Sequence, residues 1–327
     1  MANIYPNNNA ALFGTWILAN SNIRVTPARK IQIQTIITQA QTGGYVAQLY
    51  YSEFIAYTNQ WYNQYLQYNA QQPAAPAPIT YDALTTAWIA IVSSPSQQTI
   101  YSVDAFFKQL RADGNLLLDY FFLFAQDNQA NARIDLMNPT LYAATEHNAP
   151  TWTANEGYTG NGSNMYLSIN YTDSINGSNV TLNSETIGYY TRKIIASSTA
   201  QDNGAGTTTI FTQILSNYTG GLSEWYLSSG SGGSVTNNIT QGTIAAQRTA
   251  SNATAMYKNG VQIGTSTAGS RALVNKNDYC MADNNNGTPA YYGTNQYAAY
   301  FKGSGAINMV TFNSAVNLLM TNLGAHY

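Results

Sequence analysis

Seven carboxylates follow residue 150: Glu156, Asp173, Glu185, Asp202, Glu224, Asp278 and Asp283. Glycoside hydrolysis needs two carboxyl groups held about 5–9 Å apart across the scissile bond. On a strand, alternate residues facing one way would supply such a pair. No Glu-x-Asp or Glu-x-Glu pair occurs, and Asp278 and Asp283, five apart, would face opposite ways in a shared strand. The acids therefore predict no hydrolase, and the chain is not expected to be an enzyme. His147 and His326 are the only histidines, and no Gly-x-Ser-x-Gly is present, so a serine triad is not expected either. His147, in Thr-Glu-His-Asn, reads as a surface loop residue. Cys280 is the only cysteine, which excludes an intrachain disulfide, a CxxC motif and a cysteine metal site and predicts an inert, partly buried thiol.

Cofactor and metal motifs are equally sparse. Gly204-Ala-Gly206 and Gly230 to Gly233 are not followed by Lys-Ser/Thr, so they read as turns between strands rather than phosphate loops. Asp283-Asn284-Asn285-Asn286-Gly287 has the composition of part of a calcium loop but lacks its spaced second carboxylate and terminal Glu, and is expected to be a turn. Neither a cofactor nor a metal is expected. The Asn-x-Ser/Thr triplets follow from the abundance of those residues. What remains is sugar recognition. Trp225, Tyr226, Tyr291 and Tyr292 lie in or near predicted loops beside Asn and Gly, and aromatic faces next to amides suit shallow glycan sites. These four are the candidate glycan contacts; the competing reading is that they are packed or merely exposed.

The elements that would carry these residues change character at Asn148–Tyr171. Before it the chain reads mainly helical. Residues 1–25 form an arm with an apolar cluster, Thr26-Pro27 is a helix start, and Ile31 and Ile33 alternate with polar residues so that a short strand competes with helix. Tyr50, Phe54, Tyr57, Trp61, Tyr65 and Tyr68 recur at spacings of 4, 3, 4, 4 and 3, one face of a long helix. That stripe is either a core-facing surface or a self-association seam. Pro73, Pro76 and Pro78 among alanines make a semi-rigid linker. Helices are expected at Asp82 to Ser93 and Ser102 to Arg111, ended by Asp113-Gly114, with Leu116 to Ala132 continuing as helix.

After Pro150 the period shortens. Met165, Leu167 and Ile169 alternate with polar residues, as a half-buried strand does. Further strands are expected at 185–195, 207–216, 221–228, 242–248, 252–258, 261–267, 277–283 and 297–305. Asn259-Gly260 is the dipeptide of a two-residue hairpin whose positions both need positive φ. Met309 to Leu323 reads as a closing helix. The expected fold class is thus α+β: an N-terminal helical region, then an antiparallel β-sandwich. The expected divisions are 1–72, a linker at 73–80, a helical middle at 81–147 and the sandwich at 148–327.

From about Val103 onward the chain resembles a segment common in bacteriophage virion proteins. The matching positions are Phe107, Leu110, Asp113, Gly114, Leu118, Asp119, Phe124, Ala125, Ala132, Ile134, Leu136, Asn138 and Pro139, then Pro150, Trp152, Asn155, Gly157, Tyr158, Gly160, Gly162, Ser163, Tyr166 and Leu167. The resemblance implies a concanavalin A-like (LamG-like) jelly roll, with the helical segment packed beside it and a hairpin at Asn259-Gly260. It also implies a structural role in a head- or tail-associated appendage or decoration subunit, with adhesion to a host surface glycan. The alternative is a receptor-recognition protein defined by one sugar, and a glycan depolymerase comes behind it.

Composition agrees with a protein held in an assembly. Charged residues are 9% of the chain against an average near 25%, while hydrophobic content is an ordinary 44% and tyrosines number 26. The 13 basic residues are scattered and the net charge is −2, which excludes a phosphate-tracking stripe and hence nucleic acid as a partner. The most apolar run, Leu116 to Phe124, falls far short of the ~20 residues of a membrane span, so no membrane insertion is expected. The start lacks a basic and apolar leader, so synthesis in a host cytoplasm is expected, and the resemblance implies residence in the virion. The expected partners are other virion proteins and further copies of the chain, with a trimer favoured.

Overall fold

The computed structural model describes residues 79–193, 201–218, 222–236 and 241–325, with scattered positions between Thr15 and Thr38. The chain divides into two compact units, Met1–Ile79 and Thr80–Tyr327. In the first, the described positions are helical, including Ile31 and Ile33, so their alternation is not a strand. Tyr50, Phe54, Tyr57, Trp61, Tyr65, Tyr68 and the linker prolines lie outside the described residues.

The second unit opens with two helices, α1 (Ala83–Ile89) and α2 (Gln97–Ala112). Asp82 and Ser96 cap them by accepting hydrogen bonds from the Leu84 and Thr99 amides. α2 ends as Asp113-Gly114 predicts. Gly114 has φ +67, and the amides of Gly114 and Asn115 donate to Arg111 and Leu110, closing the last turn.

The next segment departs from the sequence reading. Leu116 to Ala132, expected as helix, contains strand β1 (Leu118–Leu123) and a single helical turn, α3 (Gln129–Ala132). Every residue of β1 is buried. Phe121 and Leu123 pack into a core shared with the helices, whereas Tyr120 and Phe122 face the opposite core. A strand covered on both faces loses its alternation and reads as a continuous apolar run, which periodicity cannot separate from buried helix.

Sixteen further strands follow among the described residues. In order they are β2 (Thr145–His147), β3 (Thr151–Thr153), β4 (Gly157–Thr159), β5 (Tyr166–Thr172), β6 (Glu185–Lys193), β7 (Gln201–Gly206), β8 (Phe211–Tyr218), β9 (Leu222–Ser229), β10 (Gly233–Thr236), β11 (Gly242–Ala250), β12 (Ala253–Lys258), β13 (Val261–Ser266), β14 (Asn277–Cys280), β15 (Asp283–Asn285), β16 (Thr288–Ala290) and β17 (Gln296–Gly303). A helical turn α4 (Asp173–Asn176) follows β5, and helix α5 (Met309–Asn322) closes the chain.

They form two sheets. The first runs β13-β12-β11-β6-β17-β4-β3, with β1 also paired to β17; the second runs β10-β9-β8-β7-β14-β5-β2, with β15 and β16 attached at β7. Pairing is antiparallel except between β15 and β7. The architecture is an antiparallel β-sandwich with a few helices, in three layers. One core, with Phe107, Phe301, Phe312 and Leu319, joins α1, α2 and α5 to the outer face of the first sheet. The other, with Tyr120, Ile187, Trp225 and Tyr300, lies between the sheets. Strands from before residue 148 therefore share sheets and cores with strands from after it. Asn259 and Gly260, at φ 49 and 79, turn the hairpin between β12 and β13 as their types demand.

Candidate functional site

The helices cover the outer face of the first sheet. The outer face of the second sheet carries a groove of about 560 Å³. Its geometry follows from strand alternation. On β9, Trp225 and Leu227 point into the core and Glu224 and Tyr226 point out; on β8, Ile214 points in and Gln213 and Leu215 point out. A single register row crosses the sheet: Thr145 pairs with Ser168, Ser168 with Tyr279, Tyr279 with Gly204, Gly204 with Gln213, and Gln213 with Tyr226. Gly204 is the one position in that row without a side chain, and it lies between Tyr279 and Gln213. It has φ +138, and a Cβ there would collide with the Thr212 carbonyl oxygen. The Gly204–Gly206 stretch is therefore strand interior rather than the turn expected from its composition.

Opposite Gly204 the neighbouring strand reverses. β14 ends, the chain turns through Met281 at φ 68, and β15 leaves alongside β7. The turn expected over Asp283-to-Gly287 is confined to Asn286 and Gly287, both at positive φ; Asp283, Asn284 and Asn285 are strand β15, paired with β16. This hairpin makes one wall of the groove. Asp283, Asn285, Asn286 and the 44% exposed Tyr291 line it, facing Phe211, Gln213, Glu224 and Tyr226 from the sheet. Phe211 and Tyr226 meet edge to face at 5.7 Å, and the Tyr226 hydroxyl donates to Glu224 Oε2 at 2.8 Å. Asp283 is 1% exposed, its Oδ1 accepts no hydrogen bond, and burial followed by the charge of Asp278 pushes its carboxyl up to about 7. A second depression, of about 260 Å³ beside β11, β12 and β13, has no charged residue in its lining.

The four aromatic candidates separate. Tyr226 and Tyr291 come together in the groove. Trp225, its neighbour in sequence, is fully buried between the sheets and donates from Nε1 to Thr254 Oγ1 at 3.1 Å, so it is a core residue and its ring is not available to a glycan. Tyr292 is half-buried in a separate aromatic group with Tyr166, Tyr279 and His147, where the His147 ring stacks on Tyr166 at 4.3 Å. His147 thus sits in strand β2 rather than in a loop. Cys280 is fully buried, and burial pushes its thiol pKa up, away from reactivity. Glu224 and Asp283, 59 residues apart in the sequence, were not paired by spacing; the strand reversal at Met281 brings both to one groove.

The other acids go elsewhere. Glu156 pairs with Arg192 at 3.3 Å, near the first sheet's edge. Asp173, Glu185 and Asp278 enter the inter-sheet core around Lys302, which is fully buried, and Glu185 is also drawn toward the buried Arg248. Lys302 Nζ lies 2.6 Å from Asp173 Oδ1 and donates to both Asp278 oxygens at 3.1 and 2.9 Å. The Tyr120 hydroxyl donates to Asp278 at 2.9 Å, and Ser228 Oγ to Glu185 at 2.7 Å. Burial pushes the Asp173 and Glu185 carboxyls up to about 7 and 8, and raises that of Asp278. The surrounding carboxylates hold the Lys302 ammonium pKa above its ordinary value despite burial. Among the described residues no group of three or more His, Cys, Asp or Glu has a geometry that could hold a metal. The side chain of Asp202 lies outside the described residues.

Fold and groove together define an antiparallel β-sandwich domain with one helix-covered face and one open, grooved face. Comparison with protein-family models gives no match. Comparison with curated proteins by sequence gives none either. Among solved structures the chain is similar to domain 4 of AbnA, a GH43 extracellular arabinanase from Geobacillus stearothermophilus in complex with arabinotriose, at 15% identity and TM-score 0.41 over 60% of this chain and 98% of that one. It is similar to the receptor-binding domain of a botulinum neurotoxin C/D mosaic serotype at 12% identity and TM-score 0.43, over 59% of this chain and 51% of that one. A Trypanosoma rangeli sialidase mutant displaying trans-sialidase activity matches at 11% identity and TM-score 0.42, over 67% of this chain and 39% of that one. The chain thus spans about half of the toxin domain and less of the sialidase.

Proposed function

We propose that the Thr80–Tyr327 unit is a concanavalin A-like, glycan-binding adhesion module of a bacteriophage appendage, and that it binds without cleaving. The groove carries this reading. It offers the faces and edges of Phe211, Tyr226 and Tyr291 beside the amides of Gln213, Asn285 and Asn286 and two carboxylates. Apolar sugar faces pack on aromatic rings, and sugar hydroxyls need donors and acceptors held in fixed positions. Two carboxylates in the groove's lining also oppose acidic sugars, so the expected ligand is a neutral or amine-bearing glycan. The virion setting rests on the Val103-onward resemblance, and the low-charge surface supports it. The Tyr50–Tyr68 stripe and the first unit are assigned to assembly with virion neighbours and with further copies of the chain. Binding of the purified protein to a glycan array, lost on Tyr226→Ala, tests the groove; no bound glycan on a broad array overturns it. Immunogold labelling of particles with antibody to this chain tests the setting.

One observation favours a second reading. Asp283 is a carboxyl raised to about 7 in the same groove as Glu224, and a carboxyl near neutrality can act as a general acid. Release of reducing ends from a bound glycan, abolished by Asp283→Asn, would turn the module into a hydrolase; binding without release supports adhesion.

A further inference from the structure

We infer that Lys302 and Asp173 condense to an intramolecular isopeptide bond that staples the two sheets together. Lys302 lies on β17 in the first sheet, and Asp173 follows directly on β5 in the second. Nζ and Oδ1 are 2.6 Å apart, and the two side chains are 0% and 1% exposed. Two packed side chains at this distance meet at an effective concentration of ~10⁵–10⁸ M when their geometry is aligned.

The cluster contains more than an ion pair requires. One ammonium faces three buried carboxyl groups. Asp278 takes two hydrogen bonds from Nζ and a third from Tyr120, and so grips the amine. Asp173 meets the ammonium through Oδ1 alone, so its carboxyl has fewer partners than that of Asp278. Burial pushes its pKa up to about 7, so it can carry a proton at ordinary pH. The step balances within these groups. A proton passes from Nζ to Asp173 Oδ1 across their 2.6 Å contact, leaving a neutral amine and a neutral acid. The amine lone pair forms the N–C bond at Asp173 Cγ. A Cγ–O bond breaks, and that oxygen departs as water with the moved proton and a second one from Nζ. Nothing is oxidised or reduced, and no co-reactant is needed. In water, hydration of the two ions opposes such a condensation. Here that hydration is already lost, and the reaction removes one positive and one negative charge from a dry interior.

The bond is tested by mass spectrometry of the purified full-length chain. The intact mass is expected to fall below the sequence mass by one water. Trypsin is expected to leave the Lys302 bond uncut, and peptide mapping to find a branched peptide joining Lys302 to Asp173. Asp173→Asn is expected to give the same branch with loss of ammonia instead of water, and Lys302→Met to restore the unmodified mass. The wild-type map decides the matter even if a variant fails to fold. Linear peptides carrying Lys302 and Asp173 in most molecules overturn the inference. So does a water loss confined to the Asp173 peptide, since that is a cyclic imide.

Discussion

At the residue scale, acids of similar appearance in the sequence have different fates. Asp278 and Asp283 stand five apart; one enters the core and the other lines the groove. Asp283 also sets a pH dependence. Its folded pKa of about 7 lies above the 3.8 of an ordinary aspartate, so between those values the folded state holds a proton the unfolded chain has released. Stability is therefore greatest below about pH 4 from this group and falls as pH rises through 7. Glu185, raised to about 8, acts in the same direction. The thermal midpoint is expected to be lower at pH 8 than at pH 5, and Asp283→Asn, uncharged throughout, to reduce that difference. A midpoint that climbs across the window, or a variant with an unaltered slope, would refute the assignment. For ligand binding, Tyr226→Ala is expected to weaken glycan affinity about tenfold or more, equivalent to ~1.4 kcal/mol, in calorimetric titration. Trp225→Phe, a change confined to the core, is expected to alter stability while leaving affinity close to wild type. Tyr226 and Tyr291 were legible as candidates from their types and neighbours. Trp225 was not separable from them, because adjacent residues on a strand look alike in composition yet face opposite ways.

At the element scale, strands with one covered and one open face were legible. β9 alternates in burial, β5 sends its alternate residues Leu167, Ile169 and Tyr171 into the core between the sheets, and Asn259-Gly260 fixed a hairpin by the φ its two positions require. β1 was not legible, because helices cover one of its faces and the second sheet the other. Phe121 shows what that position demands. Its ring stacks with Phe301 at 5.9 Å and meets Phe106 of α2 at 4.7 Å. Phe121→Ala is expected to cost about 3–5 kcal/mol in denaturant unfolding, since the cavity would open between two layers that cannot both collapse into it. Phe122→Ala, on the opposite face of β1, should be comparably destabilising. Were the segment a helix covered on one side only, one of the two would be nearly neutral.

At the scale of the whole molecule, the order of helix-rich then strand-rich sequence was visible, and the place where one folding unit begins was less so. The helices from Ala83 to Ala112 are not a separate piece. They cap the first sheet, and Gln98 Nε2 reaches across to the Asn322 carbonyl of the closing helix at 2.9 Å. Sequence patterns report local periodicity, and a sheet that recruits β1 from ahead of the main strand run is a non-local event. Residues 80–327 expressed alone are expected to fold cooperatively, because both cores are internal to that unit. Sedimentation should show that fragment as a monomer and the full chain as an oligomer held by the aromatic stripe. A monomeric full chain would leave the stripe as an internal surface only.

The helix layer has a consequence for how the molecule can be held. Thr80 receives a hydrogen bond from Lys108 of α2, and Ala325 is buried in the core beneath α5. Both ends of the sandwich unit therefore emerge on the side away from the groove. A tether fused at either end, whether to a sensor chip, a bead or a neighbouring subunit, would leave the grooved side pointing outward. Orientation is then a property of the chain's path, and the module can be displayed from either terminus without redesign.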